Sequence, residues 1–303
     1  MLSCNQMNCL FCDSHQVSLT SLPTNLFNGR VFSYHKCASC GLLFVDPIPN
    51  AADLELIYPT SYQGKLSKNR IQNDQKLPGL RFKYSEIYKA IKNFSGKSTI
   101  LDYGCGNGQF LYNAQINGFK TIGVEYNPKM VELLKSSFDG IEFYTIEEFN
   151  KSSDKHVAIY LSNVLEHFTN PKLQLCDIVN KLCTDGIIII EGPIEGNRSL
   201  VNWFKFTYLK LKKRKDPLYQ TKDAPAHIFF SNVTNQQKLF SELGLEKIKM
   251  DVIEKEWPMP YKLSDANDFI GYFKYFIGKF SIFISNFIPN YGNTFLYVGK
   301  KRP

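Results

Sequence analysis

At 303 residues, with 44% hydrophobic and 21% charged positions, the chain can bury one sizeable core and still carry appendages. No apolar run reaches the about 20 residues that span a bilayer, and the polar, cysteine-bearing start (MLSCNQMNCL) is no secretory leader, so a soluble, cytoplasmic protein is expected. The formal charge of +8 is local rather than general, because residues 200–222 hold seven Lys/Arg against one Asp.

Five of the eight cysteines fall within the first 40 residues. Cys9-Leu-Phe-Cys12 and Cys37-Ala-Ser-Cys40 are two CxxC knuckles, each able to offer two thiolates to one ion. Together they read as a Cys4 Zn²⁺ ribbon whose metal supplies folding energy that so small a module cannot obtain by apolar burial. A disulfide pair or a redox CxxC fits paired knuckles in an unexported chain less well. Cys4 is left as a spare, and His15 and His35 read as surface residues. Between the knuckles the basic residues are Arg30 and Lys36, too few to track a phosphate backbone, so no nucleic-acid partner is expected. A docking or substrate-covering lobe is the better reading.

Leu42 to Val45 is expected as the last ribbon strand, closed by Asp46-Pro47-Ile48-Pro49. A short helix over 51–58, a turn at 59–62 and a breaker-rich linker or lid at 67–78 follow. Leu80, Tyr84, Ile87, Tyr88 and Ile91 then recur at helical spacing. Tyr58 and Tyr62 are either cavity-lining or ordinary packed aromatics.

The chain is organised around 99–126, TILDYGCGNGQFLYNAQINGFKTIGVEY. A β-branched strand ends at Asp102, and Gly104, Gly106 and Gly108 follow. A helix runs to Asn117, Gly118 stops it, and a second strand carries Glu125. Glycines let backbone approach a ligand where a Cβ would collide, and Glu125 stands where a carboxylate can accept both hydroxyls of a ribose. Gln109 occupies the place of a dinucleotide fingerprint's third glycine, and GxxxxGK[ST] is absent. The Asp102-Tyr103-Gly104-Cys105-Gly106-Asn107-Gly108 run resembles motif I of the class I S-adenosylmethionine (SAM)-dependent methyltransferases. That resemblance implies a Rossmann-like α/β fold with a seven-stranded sheet, and SAM held by Asp102, Gly104, Gly106, Glu125 and Tyr126.

Downstream, Asn127-Pro128 caps a helix to about 138, and a third strand over 141–146 precedes Glu147. In the resembling family this edge meets the adenine, which makes Ile146 and Glu147 candidates. A buried strand at 157–161 runs into Ser162-Asn163 and then Leu165-Glu166-His167, similar to the fourth-strand segment of many small-molecule methyltransferases. Ligands of open parallel sheets bind beyond the strands' carboxyl ends, where Ser162, Asn163 and His167 are expected. His167 is read equally as a substrate-orienting or proton-relaying group and as a turn-pinning one. A helix over 173–182 and a strand over 187–190 end at Glu191-Gly192-Pro193.

Residues 203–215 (WFKFTYLKLKKRK) mix aromatics and cations on a helix. They read as a cap over the substrate, with a phosphate patch, a peripheral membrane contact or a plain solvated face as competing readings. His227-Ile-Phe-Phe-Ser231 completes a pattern that, with the ribbon, motif I and Leu-Glu-His, looks like zinc-ribbon methyltransferases including sugar C-methyltransferases. There the matching histidine follows a Glu and is the base; here His227 follows Ala226. His227 is therefore the leading candidate base, with helix capping as its bland alternative. The aromatic stretch 272–287 and a last strand at 293–300, antiparallel to 246–253, end the chain.

The expected domains are a ribbon (1–46), linker and lid helices (47–95), a SAM-binding core (96–199), a basic helical cap (200–230) and the C-terminal part of the sheet with a helical insertion (231–303). The expected function is SAM-dependent methylation, at O, N or C, of a nucleotide-linked or glycan sugar, with methylation of a lipid or quinone as the first alternative. The remaining alternative is a zinc-ribbon binding module with an idle SAM fold.

Overall fold

Four consecutive isoleucines, Ile187 to Ile190, are fully buried. Ile187 and Ile189 face one apolar cluster while Ile188 and Ile190 face another, so this strand is covered on both sides, as a central strand of a mostly parallel sheet must be. The protein, a computed structural model describing residues 7–59, 84–95, 99–255, 259–260 and 262–302, is built around that sheet. Cys4, Tyr62, Leu80 and the 67–78 stretch lie outside the described residues.

In chain order the ribbon contributes β1 (Val17–Leu19), β2 (Thr24–Phe27), β3 (Arg30–Cys37) and β4 (Leu43–Asp46), followed by α1 (Ala51–Ile57) and α2 (Tyr84–Ser95). The core follows as β5 (Thr99–Tyr103), α3 (Gln109–Ile116), β6 (Lys120–Glu125), α4 (Pro128–Ser137), β7 (Glu142–Thr145), α5 (Ile146–Lys151), β8 (His156–Ser162), α6 (Pro171–Asn180) and β9 (Leu182–Pro193). Then come α7 (Leu200–Lys215), β10 (Gln220–Thr221), β11 (Phe229–Phe230), α8 (Val233–Glu242), β12 (Leu245–Ile253), α9 (Phe269–Ser285) and β13 (Thr294–Lys301).

The seven-stranded sheet has the order β12-β13-β9-β8-β5-β6-β7, with β13 antiparallel to both neighbours and the other pairs parallel. This is the Rossmann-like arrangement expected of the motifs. The strand order reverses between β5 and β8, which creates a crevice at their carboxyl ends. Local chemistry sets the elements that frame it. Asn127 caps α4 through Lys129 N (3.0 Å) with Pro128 in the first turn, and Thr145 and Glu148 form a capping box that starts α5.

The second sheet differs from the expected domain layout. Its order is β10-β2-β3-β4-β11, with β1 also on β3. Segment 220–230, expected within a helical cap, thus supplies both outer strands of the ribbon sheet. Phe229 and Phe230 pair with Phe44 and Leu43, and Phe11 packs edge-on against Phe229 at 4.9 Å. One apolar cluster runs from Phe11 and Phe44 through Phe229 to Tyr103 and Ile188, so ribbon and core share their interior. Arg30 of β3 pairs with the buried Asp53 of α1, adding a polar tie. Among the described residues, no helix is long and apolar enough to cross a membrane.

Candidate active site

The crevice holds a cavity of about 450 Å³, a size suited to a small-molecule ligand. Its floor is the loop after β5. Gly104 and Gly106 have φ of 78° and 57°, left-handed values that L side chains rarely adopt, and a Cβ on Gly104 would run into Cγ2 of Val164. The loop is held from below: Gly104 N and Cys105 N donate to the Val124 carbonyl at 2.8 and 3.0 Å. Glu125 fixes the loop's outer edge, accepting from Gly106 N (2.9 Å) at one oxygen and from Tyr126 N (2.9 Å) and Asn127 N (3.3 Å) at the other.

Gly104, Gly106, Glu125, Tyr126, Ile146, Ser162, Asn163 and His167 all line the cavity. Two expected ligand residues do not. Asp102 is buried within β5, beneath the loop. Glu147 lies on the first turn of α5, exposed and paired with Lys151 at 3.5 Å, because the Thr145 cap starts the helix at Ile146 and turns the next residue outward. The electrostatics favour a cation. Burial raises Asp102 well above the usual carboxylate range, and the nearby Glu125 and Glu191 charges push it further. Burial likewise raises Glu125, against the three backbone N–H groups that stabilise its charge. A ligand carrying a sulfonium and an ammonium group relieves such a site.

One imidazole lines the cavity and a second stands beside it. His167 Nδ1 lies 2.8 Å from the Ala226 carbonyl. A carbonyl only accepts, so Nδ1 carries the hydrogen, and Nε2 faces Glu166 Oε1 at 3.8 Å. The Tyr58 hydroxyl donates to the same carbonyl at 3.1 Å and lies 2.7 Å from His167 Nδ1. His227 is 5.2 Å from His167, ring to ring, adjoining the cavity rather than lining it. Its Nδ1 donates to Glu195 at 2.6 Å, and Lys205 of α7 pairs with the same carboxylate. Burial opposes the charges of both partners. The Glu195 hydrogen bond and charge nevertheless raise His227, while Lys205 and His227 together hold Glu195 at about 2.

Glu195 was not legible as a site residue: it lies 32 positions before His227 and belongs to no motif. It supplies the carboxylate that Ala226 does not. Capping of the following helix falls to Asn232 rather than to His227. Glu166, His167 and His227 each offer an atom within 4.8 Å of the others, a set able to pass a proton or to hold a cation.

A methyltransferase domain family model matches residues 79–250, more than half of the chain. The chain belongs to this family of class I SAM-dependent methyltransferases. No curated protein matches the methyltransferase. Among solved structures it is similar to a SAM-dependent methyltransferase from Archaeoglobus fulgidus, at 22% identity over 81% of this chain and 99% of that one, with a TM-score of 0.43. It is also similar to the plantazolicin methyltransferase BpumL, solved with a monoazolic desmethylPZN analog and SAH, at 13% identity over 84% and 95% of the two chains and a TM-score of 0.47. A third is a methyltransferase from Mesorhizobium loti, at 12% identity over 74% and 100%, with a TM-score of 0.45.

The methyltransferase's four knuckle cysteines come together at the ribbon tip. Cys9 Sγ lies 3.5 Å from Cys40 Sγ, Cys12 Sγ lies 3.6 Å from Cys37 Sγ, and all four lie within 4.8 Å of one another as free thiols. Zn–S bonds of about 2.3 Å require sulfurs roughly 3.8 Å apart in a tetrahedron, so the cage fits one Zn²⁺. The Cys40 hydrogen bond, opposed by burial and aided by backbone N–H groups, lowers Cys9 to about 5.

Proposed function

We propose that the methyltransferase acts on a sugar carried by an anionic nucleotide or glycan, with His227 as the base at the acceptor and His167 orienting it. The observation that carries the reading is the His227–Glu195 pair beside the cavity. A buried carboxylate on Nδ1 fixes the tautomer and leaves Nε2 to take a proton. SAM, when bound, supplies a methyl group to the acceptor nucleophile. Gly104, Gly106, Glu125, Tyr126, Ile146, Ser162 and Asn163 would hold it, with Asp102 buried beneath the loop. Positioning and exclusion of water contribute most of the acceleration, with general-base help where the acceptor's proton must leave. The Cys9, Cys12, Cys37 and Cys40 cage is assigned to structural Zn²⁺, a closed site with no open position for chemistry. A cytoplasmic location belongs to the same reading, since it keeps those thiols reduced.

The test is incubation of the purified protein with SAM carrying an isotopically labelled methyl group and a panel of nucleotide sugars, read by mass spectrometry beside His227→Ala. A labelled sugar, lost in the variant, is the expected result. Unlabelled sugars throughout, despite calorimetric SAM binding, overturn the sugar assignment.

A further inference from the structure

Helix α9 is amphipathic in the wrong direction for a packed helix. Its buried positions are Ile277, Gly278 and Ser281. Ser281 and Ser199, the N-cap of α7, both donate to the buried Glu254, at 2.5 and 2.7 Å. Outward, Phe269, Phe273, Phe276, Phe280 and Phe283 form one stripe at helical spacing, which Phe287 extends just past the helix, each between 52% and 84% exposed. A solvated helix places such residues inward, and an apolar patch of this extent marks an interaction surface.

The neighbouring helix says what covers it. Phe204 of α7 meets Phe273 edge-on at 5.8 Å, and the exposed Trp203 packs on Phe204 at 5.1 Å, so a chain of rings joins the helices. The last turn of α7 carries Lys212, Lys213, Arg214 and Lys215; Lys213 donates to the Leu22 carbonyl and Lys212 lies over the Tyr208 and Tyr219 rings, while Arg214 and Lys215 stand exposed. Lys274 and Lys279 stand exposed along α9 itself. Aromatic rings bordered by cations, on helices unable to span, match the boundary between headgroups and acyl chains of an anionic membrane. A second copy of the chain would instead bring like charges together.

We propose that this face docks the protein on an anionic lipid bilayer, with the α9 rings at the headgroup–acyl boundary and the α7 cations among the headgroups. The surface is separate from the cavity, and the proposal holds whatever the acceptor is.

Flotation of the full chain with phosphatidylcholine vesicles, with and without phosphatidylglycerol, tests it. Binding is expected to the phosphatidylglycerol vesicles and to fall with added salt. Arg214→Ala/Lys215→Ala should weaken it roughly thirtyfold, from about 1 kcal/mol per cation near the surface. Phe273→Ser/Phe276→Ser/Phe280→Ser should weaken it at least about tenfold. Both variants should bind SAM as the parent does in calorimetry, which shows them folded. Absence of binding to anionic vesicles, or equal binding to both vesicle types, overturns the proposal. So does a dimer by light scattering that the aromatic variant disperses, because the stripe would then be a contact between copies.

Discussion

His227 and Glu195 set the pH behaviour at the level of single residues. The raised His227 must lose its proton to act as a base, so kcat/KM should rise with pH through an apparent pKa above 6.5. Glu195→Gln removes the charge that raises it. The rising limb should then move to lower pH and the plateau should fall, because the tautomer is no longer fixed. His227→Ala should lower kcat by about 10²- to 10⁴-fold with SAM affinity unchanged. The pair also carries stability with a defined window. The raised His227 stabilises the fold fully below its unfolded value of 6.5 and loses this as pH rises through its folded value. The depressed Glu195 contributes fully above its unfolded value of 4.5, and its share is lost as pH falls towards about 2. Thermal unfolding of Glu195→Gln should therefore differ most from the parent between about pH 4.5 and 6.5. Gly104→Ala should weaken SAM binding by about tenfold or more in calorimetry, since left-handed backbone costs an L residue of order 1–3 kcal/mol. The histidines were legible because each sits in a local motif. Glu195 was not, because only folding brings it to His227, and Glu147 was misplaced because its outward direction depends on where the Thr145 cap starts a helix.

Among the elements, those with strong local periodicity were read closely: α3 and β6 follow from the glycine loop, and Asn127-Pro128 marks the start of α4. The two-residue strands β10 and β11 have no pattern of their own, and their pairing partners lie nearly two hundred positions earlier. Cys12→Ser should release the metal assigned to the ribbon, detected with a colorimetric zinc chelator, and lower the unfolding midpoint, since metal binding there is folding free energy. Arg30→Ala leaves Asp53 buried with Asn28 and the Asn50 N–H as partners. A cost of about 2 kcal/mol is expected in denaturant unfolding, below that of a fully buried pair because Arg30 is partly exposed.

For the whole molecule, the sheet and the crevice at its switch point could be read in advance because buried parallel strands and glycine turns are local signals. The relation of α7 and α9 could not. The basic helix gave only a choice among cap, phosphate patch and membrane contact, and the direction of the Phe stripe depends on which side of α9 the Glu254–Ser281 contact faces.

The return of the chain to its first sheet bears on how the protein is made. β2 and β4 emerge early from the ribosome, yet their outer partners β10 and β11 are synthesised only after the entire parallel core. Until then both strands are open edges, the kind of surface on which nascent chains associate. The four thiols, complete by Cys40, are ready long before. Capture of an ion at that stage would hold the nascent ribbon in register while the rest of the polypeptide is still being translated. Zinc starvation during expression should accordingly appear first as insoluble product.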